Sequence, residues 1–279
     1  GTTANKLVRL DANAKLPAVD GSQLTNLPAQ SNFQILGKLT QGSISMAGAA
    51  MATDTSDDSI YLAFNAPASN NNAVVVFRLA KDAKTGNYKK THSAIPAVSG
   101  NGFFSITSLT VMGDYLYFSR ANGVDIYRVD KATLTNLTVI TFSGGNPDTS
   151  VKYLFNDGTF VYVYNRTGDY NIKKYSVGGS TFTYVSQVAS AAAGGSPSGT
   201  WLDATNFYIG MTGTMYIINR ITGAVSTSEV LPPKIEILAA AKQSLLRVGD
   251  RVLSLTANNT DTSDTYSIVY LDWFSSTAF

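Results

Sequence analysis

A short acidic turn followed by two hydrophobic strands recurs five times in this chain, and the repeat limits the possible folds more than any other feature. The turns are Asp57-Asp58, Gly113-Asp114, Asp157-Gly158, Asp203-Ala204 and Gly249-Asp250. Successive turns are 43 to 56 residues apart. One unit of this length cannot bury its own apolar face, so the period is typical of propellers and repeat arrays.

Each unit is predicted to contain four strands. In the second unit, the four hydrophobic runs are Ile106–Met112, Tyr115–Ser119, Gly123–Val129 and Leu137–Phe142. Runs rich in Tyr, Val and Ile that are bounded by Gly, Asn and Asp are strand and hairpin signals. The nearest candidate for a helix is Leu238–Leu246. The pattern therefore predicts an all-β chain.

The last unit is incomplete, because the chain ends at Phe279 soon after its third strand at Tyr266–Asp272. A suitable fourth strand lies at Phe33–Leu39, near the other end of the chain. A strand from there would close a ring and remove an open sheet edge. We therefore predict a five-bladed β-propeller of four-stranded blades over residues 32–279, closed by an N-terminal strand. A β-sandwich or a solenoid is the alternative.

Composition argues against several classes of function. The net charge is only +2, and the adjacent basic pairs are Lys89-Lys90 and Lys173-Lys174, so we expect no nucleic-acid partner. No run of about 18 apolar residues occurs, so we expect no membrane insertion. The chain has no Cys and a single His, His92, which excludes disulfides and zinc sites built from Cys or several His. No phosphate loop or dinucleotide fingerprint occurs, and we expect no cofactor.

Residues 1–31 do not belong to the repeat and have too few large side chains to form a core alone. Their sequence from residue 2 to residue 27 is TTANKLVRLDANAKLPAVDGSQLTNL. This stretch resembles the shaft or neck segments of tail-fibre and related receptor-binding proteins of tailed bacteriophages. A flexible surface leader is the alternative.

The resemblance implies a setting and an assembly. Shaft segments of this family join a virion-proximal part to a C-terminal receptor-binding head, usually as homotrimers. It therefore implies that residues 1–31 form a homotrimer and connect the head to other fibre or baseplate proteins in the virion. The repeat itself resembles no fibre head closely enough to transfer residue roles.

Carbohydrate binding requires only aromatic faces with nearby amides and hydroxyls. The candidate aromatic residues are Trp201 and Trp273, which are equally suited to packing between blades. The candidate polar loops contain Asn70, Asn71, Asn72, Asn258 and Asn259, although such asparagines are also ordinary hairpin tips.

Catalysis has weaker support in the sequence. Glycoside hydrolysis needs two carboxylates that act together, one of them with a raised pKa. Most acids here lie in the repeated turns, and those least constrained by the turns are Asp148, Asp169, Asp203 and Glu236. A Ser-His-Asp triad would need His92, which lies in a polar segment.

Our leading hypothesis is a non-enzymatic phage fibre protein whose head binds a glycan or protein of the host surface. A polysaccharide depolymerase, and a propeller lectin or scaffold unrelated to phage, are the alternatives.

Overall fold

The computed structural model describes residues 34–42, 45–65, 74–81, 88–94, 106–120, 125–145, 152–165, 171–190, 197, 199–211, 214–229, 245–248, 251–258 and 266–275. The predicted shaft-like segment, residues 1–31, lies outside these residues. The chain from Gln34 to Phe279 belongs to one compact unit.

The described residues form 21 β-strands and no helix. The strands are β1 (Gln34–Gly42), β2 (Ser45–Asp54), β3 (Ser59–Asn65), β4 (Val74–Lys81), β5 (Tyr88–Ala94), β6 (Ile106–Met112), β7 (Tyr115–Arg120), β8 (Ile126–Asp130), β9 (Thr138–Val139), β10 (Thr141–Ser143), β11 (Lys152–Asn156), β12 (Phe160–Asn165), β13 (Asn171–Gly178), β14 (Thr181–Ser190), β15 (Gly199–Leu202), β16 (Asn206–Met211), β17 (Thr214–Asn219), β18 (Val225–Glu229), β19 (Leu245–Val248), β20 (Arg251–Asn258) and β21 (Tyr266–Ser275). No candidate membrane-spanning helix occurs in the described part of the chain.

The strands form four sheets in a β-propeller arrangement. Two sheets are four-stranded, in the orders β2-β3-β4-β5 and β6-β7-β8-β9. A third contains β11-β12-β13-β14 with β10 added at its outer edge, and the fourth has eight strands. The first strands of neighbouring sheets contact each other in turn, β2 with β6, β6 with β11, and β11 with β15. These first strands are therefore the inner strands of the propeller.

The eight-stranded sheet contains two runs of four strands. The first run is β15-β16-β17-β18, and the second is β19-β20-β21 followed by β1. A single parallel pair, Gly199↔Leu245, joins β15 to β19, which is why four hydrogen-bonded sheets occur. Strand β1 pairs antiparallel with β21, from Gln34↔Trp273 to Gly42↔Tyr266. The last two residues of the helix candidate Leu238–Leu246 lie in β19. Its other residues lie outside the described part of the chain.

The predicted fourth strand of the second unit, Leu137–Phe142, is wrong as a continuous strand. Strand β9 pairs with β8 of its own sheet, whereas β10 pairs in parallel with β14 of the next sheet. Ile140, between the two, is buried, and its N–H donates to Ile126 O at 2.8 Å. Ile140 and Phe142 pack against Tyr175 and Phe182, so the chain crosses to the next sheet to bury them.

Both faces of the second sheet are buried against neighbouring sheets. In β7, Leu116 and Phe118 belong to the core between the first and second sheets. Tyr117 belongs to the core between the second and third sheets. Successive strand residues point to opposite faces, so this alternation buries both sides of a blade. Such packing holds the inner strands and their turns in place.

Candidate binding site

The turn between β11 and β12 is built around Asp157. Its Oδ1 accepts hydrogen bonds from the N–H groups of Thr159 at 3.0 Å and Phe160 at 2.8 Å. Its Oδ2 accepts from Tyr162 Oη at 2.7 Å and from the Arg220 guanidinium at 2.5 Å. Burial alone would raise the pKa of Asp157, but these bonds outweigh it and lower the pKa. The carboxylate is thus an ionised acceptor with four donors.

The turn between β15 and β16 repeats this arrangement around Asp203. Oδ1 accepts from the N–H groups of Thr205 and Asn206, both at 2.8 Å, and Oδ2 accepts from Tyr208 Oη at 2.7 Å. Burial would raise the pKa of Asp203, but the bonds from Tyr208, Thr205 and Asn206 lower it to about 2. The sequence-based view of Asp203 as a little-constrained acid is therefore wrong, because its carboxylate is held by the turn.

We expect Asp203 to contribute to acid stability. The pKa of this carboxyl is about 2 in the folded chain, below its ordinary value of 3.8. Its contribution is therefore fully present above about pH 4 and is lost as the pH falls toward 2. Thermal melts from pH 6 to pH 2 should show a shallower acid decline for Asp203→Asn than for the native chain. Equal declines would contradict this assignment.

The first acidic turn, between β2 and β3, contains two carboxylates that are each paired with a cation. Asp54 Oδ2 lies 2.7 Å from Lys131 Nζ, and Asp57 Oδ2 lies 2.5 Å from the Arg78 guanidinium. For both acids, burial would raise the pKa, but hydrogen bonds and these cations lower it. The second turn differs, since Asp114 is exposed in a two-residue hairpin between Met112 and Tyr115.

A pocket of about 330 Å³ lies where the inner strands end in the acidic turns. We call it the axial pocket. It is lined by residues of β2, β6, β11 and β15 and of the turns that follow β2 and β11. Its polar lining residues are Thr53, Thr55, Thr110, Asn156, Asp157 and Thr200. Trp201 is on its wall. The volume is at the lower end of the range of about 300–1,000 Å³ that is typical of small-molecule sites.

Several polar groups of the axial pocket are already engaged. Asn156 Nδ2 donates to Thr110 Oγ1 at 2.7 Å and to Val111 O at 2.8 Å, while Asn156 Oδ1 accepts from Gly158 N at 3.0 Å. Asp157 has its four donors, and Thr200 also has a partner.

The groups left for a ligand are hydroxyls. Among the described residues, the hydroxyls of Thr53 and Thr55 form no hydrogen bond. Thr110 Oγ1 accepts a hydrogen bond from Asn156 and retains its own proton for donation.

The structure describes only some of the residues proposed for carbohydrate binding. Trp201 is buried, with 8% of its surface exposed, and stacks on Tyr208 with the ring centroids 5.5 Å apart. It therefore packs within its blade while bordering the axial pocket. Trp273 lies in β21 and Asn258 ends β20. Asn70, Asn71, Asn72 and Asn259 lie outside the described residues.

The described strand ends nearest to these asparagines in the sequence are the ends opposite the acidic turns, where the axial pocket lies. Residues 70–72 fall between Asn65 and Val74, which pair at the end of β3 opposite the turn at Asp57. Asn258 is likewise at the end of β20 opposite its start at Arg251.

Of the residues considered for catalysis, only Asp203 and His92 lie among the described residues. Asp148, Asp169 and Glu236 lie outside the described residues. His92 lies in β5, where its backbone is opposite Arg78. The described residues include no group of three or more His, Cys, Asp or Glu that could hold a metal ion.

The sequence analysis does not identify three features of the site. The axial threonines, Thr53 and Thr110, lie in the first strands β2 and β6 and line the pocket, but other polar residues of these strands do not, so the sequence does not single them out. In two turns, a tyrosine follows the aspartate by five residues, as Tyr162 follows Asp157 and Tyr208 follows Asp203. This spacing indicates the hydrogen bond from the tyrosine hydroxyl to the aspartate carboxylate. No local signal indicates the contact of Arg220 with Asp157.

Comparisons with known proteins identify no family for this chain. No protein-family model and no curated protein matches the chain. A chain in a nidogen/laminin complex is similar at 13% identity, over 80% of this chain and 83% of that one, with a TM-score of 0.49. A glutaminyl cyclase from Myxococcus xanthus is similar at 10% identity, over 70% of this chain and 75% of that one, with a TM-score of 0.35. Neither similarity carries an argument about function.

Proposed function

We propose that this chain is the non-enzymatic receptor-binding head of a phage tail or baseplate fibre, which recognises a glycan or protein of the host surface. The observation that carries the binding role is the axial pocket, a concave site whose available groups are hydroxyls. The propeller fold suits a binding or scaffold role. The resemblance of residues 2–27 to fibre shafts supports the phage setting and the virion location.

Non-enzymatic binding is supported by the state of the carboxyls. Asp54, Asp57, Asp157 and Asp203 all have a lowered pKa and serve as acceptors in turns. A glycosidase general acid needs a raised pKa so that it is protonated near neutral pH. These four residues are therefore unsuited to that role.

The proposed head has five blades in a ring that β1 closes. The pairing of β1 with β21 supports this arrangement, because it adds a fourth strand to β19-β20-β21. Contacts of β19 with β15 on one side and with β2 on the other support it as well, because they extend the series of inner strands into a circle. Closure of this kind leaves no open edge between the first and last blades.

The binding proposal is tested with the intact chain on a glycan array and on cells of candidate hosts. We expect saturable binding to a restricted set of surface glycans or to one host surface. Incubation with the bound polysaccharide should release no reducing ends and no unsaturated sugars. Their release would favour the depolymerase instead. A gene located away from tail and baseplate genes would favour a lectin or scaffold unrelated to phage.

Assembly through residues 1–31 gives a separate prediction. In the proposed trimer, the Leu and Val side chains of this segment are buried against copies from other chains. Light scattering of the intact chain should therefore give three times the chain mass. We expect Leu7→Asp to shift the mass toward the monomer and Thr3→Asp, the control, to leave the trimer intact. A native chain that is monomeric at micromolar concentration would contradict the trimer.

A further inference from the structure

We infer that the axial pocket binds one neutral sugar residue of the receptor, recognised through hydroxyl groups and not through charge. This inference rests on the proposed function and specifies the ligand class of the same site. The three observations that carry it are the free hydrogen-bonding groups of the pocket, the pairing of the nearby charges and the size of the cavity.

The free groups of the axial pocket match the chemistry of sugars. The hydroxyls of Thr53 and Thr55 have no partner among the described residues, and the Thr110 hydroxyl keeps its proton. A hydroxyl both donates and accepts hydrogen bonds, as the hydroxyls of a sugar also do. A ligand with several neighbouring hydroxyls can therefore pair with all three threonines, whereas an apolar ligand would leave them unpaired.

The charges around the axial pocket oppose ionic ligands. Asp157 lines the pocket as an ionised carboxylate, and its cationic partner among the described residues, Arg220, already binds its Oδ2 at 2.5 Å. Lys131 is likewise paired with Asp54 at 2.7 Å. An acidic sugar would approach the Asp157 carboxylate while the described cations Arg220 and Lys131 are already paired, which is unfavourable. A basic ligand would find both oxygens of Asp157 already engaged.

The size and wall of the pocket favour a single ring. A volume of about 330 Å³ is at the lower end for small-molecule sites, too small for a long saccharide to enter whole. Trp201, held by its stacking on Tyr208, gives one apolar wall beside the threonines. Sugars present both hydroxyls and apolar C–H faces, so a wall of this kind next to hydroxyls is suited to them.

The test measures binding of simple sugars to the intact chain by saturation-transfer NMR and titration calorimetry. The neutral probes are the methyl glycosides of glucose, galactose and mannose, together with N-acetylglucosamine. Glucuronic acid, sialic acid and glucosamine are the charged probes. We expect at least one neutral sugar to bind, with millimolar or tighter affinity, and the charged sugars to bind at least about tenfold more weakly.

Two variants locate the binding. Thr53→Val and Thr55→Val each remove one free hydroxyl, and each should weaken binding of the neutral sugar by about three- to tenfold. Thr55 is exposed in a turn, so its variant folds even if valine at Thr53 perturbs β2. Thr227→Val, on an exposed position of the outer strand β18, is the matched control and should bind as the native chain does.

Three outcomes would overturn the inference. One is preferential binding of a charged sugar. Another is neutral-sugar binding that neither threonine variant weakens. The third is that no sugar of the panel binds at millimolar concentration. Binding of the chain to host cells or to whole polysaccharide together with any of these results would leave the proposed function standing and the axial site rejected. Loss of all host-surface binding would reject the proposed function itself.

Discussion

Phe182→Ala is expected to lower the free energy of unfolding by about 3–5 kcal/mol, the cost of removing a buried aromatic ring. Phe182 is fully buried between the second and third sheets. Its ring centroid lies 5.5 Å from that of Tyr117 and 5.7 Å from that of Phe142. The ring therefore connects β7 of one sheet, the crossing strand β10 and its own strand β14. Urea unfolding followed by fluorescence and circular dichroism measures the change.

The control for this prediction is Val185→Ala on the same strand. Val185 is 47% exposed, so its truncation should change the free energy of unfolding by no more than about 0.5 kcal/mol. Phe182→Leu should give an intermediate loss, because leucine refills part of the cavity. A loss below about 1 kcal/mol for Phe182→Ala would mean that the two sheets do not pack through this ring.

The elements that the sequence predicts best are those encoded by neighbouring residues. Strands β6 and β7 agree with the sequence-based bounds to within one residue, because β-rich runs and the Gly113-Asp114 hairpin are local signals. The fourth strand of the same unit is not predicted, because its division at Ile140 depends on burial against Tyr175 and Phe182 of the next sheet. Contacts between sheets leave little trace in the local sequence.

The contrast between local signals and contacts between sheets also explains which residues of the candidate site the sequence predicts. Trp201 is a candidate because of its aromatic side chain, and it borders the axial pocket. The threonines of the pocket are not predicted, since Thr53 and Thr110 come together only when β2 and β6 are placed side by side. The sequence does not predict how firmly the Asp203 carboxylate is held, because the hydrogen bonds that hold it come from backbone N–H groups of its own turn and leave no trace in composition.

One of the repeated acidic turns also makes a contact between neighbouring blades. Asp157 and Asp203 have equivalent turn bonds, and each accepts a hydrogen bond from the tyrosine five residues later, Tyr162 or Tyr208. Only Asp157 also receives the Arg220 guanidinium, from a residue 63 positions later in the chain. Arg220 directly follows β17 of the neighbouring blade, and its other terminal nitrogen donates to Asp203 O at 2.7 Å. One cation thus links two acidic turns beside the axial pocket.

Asp157→Ala is expected to lower the free energy of unfolding by about 2–4 kcal/mol, because it leaves four donors without their acceptor. The side chains of Arg220 and Asp157 are only 15% and 19% exposed, so solvent compensates the loss incompletely. Arg220→Ala should cost less, about 1–3 kcal/mol, since Asp157 keeps its turn bonds and Tyr162. Denaturant unfolding of both variants and of the double variant measures the coupling between the two residues.

The double variant should be destabilised by less than the sum of the single variants, with a coupling of about 0.5–3 kcal/mol. Lys81→Ala is the matched control, because Lys81 and Asp58 form a pair at 3.4 Å whose side chains are 47% and 58% exposed. Exposed pairs contribute about 0–1 kcal/mol, so this variant should be nearly neutral. Strict additivity of Asp157→Ala and Arg220→Ala would show that the two turns are held independently, and the link between the third and fourth inner strands would then rest on apolar packing alone.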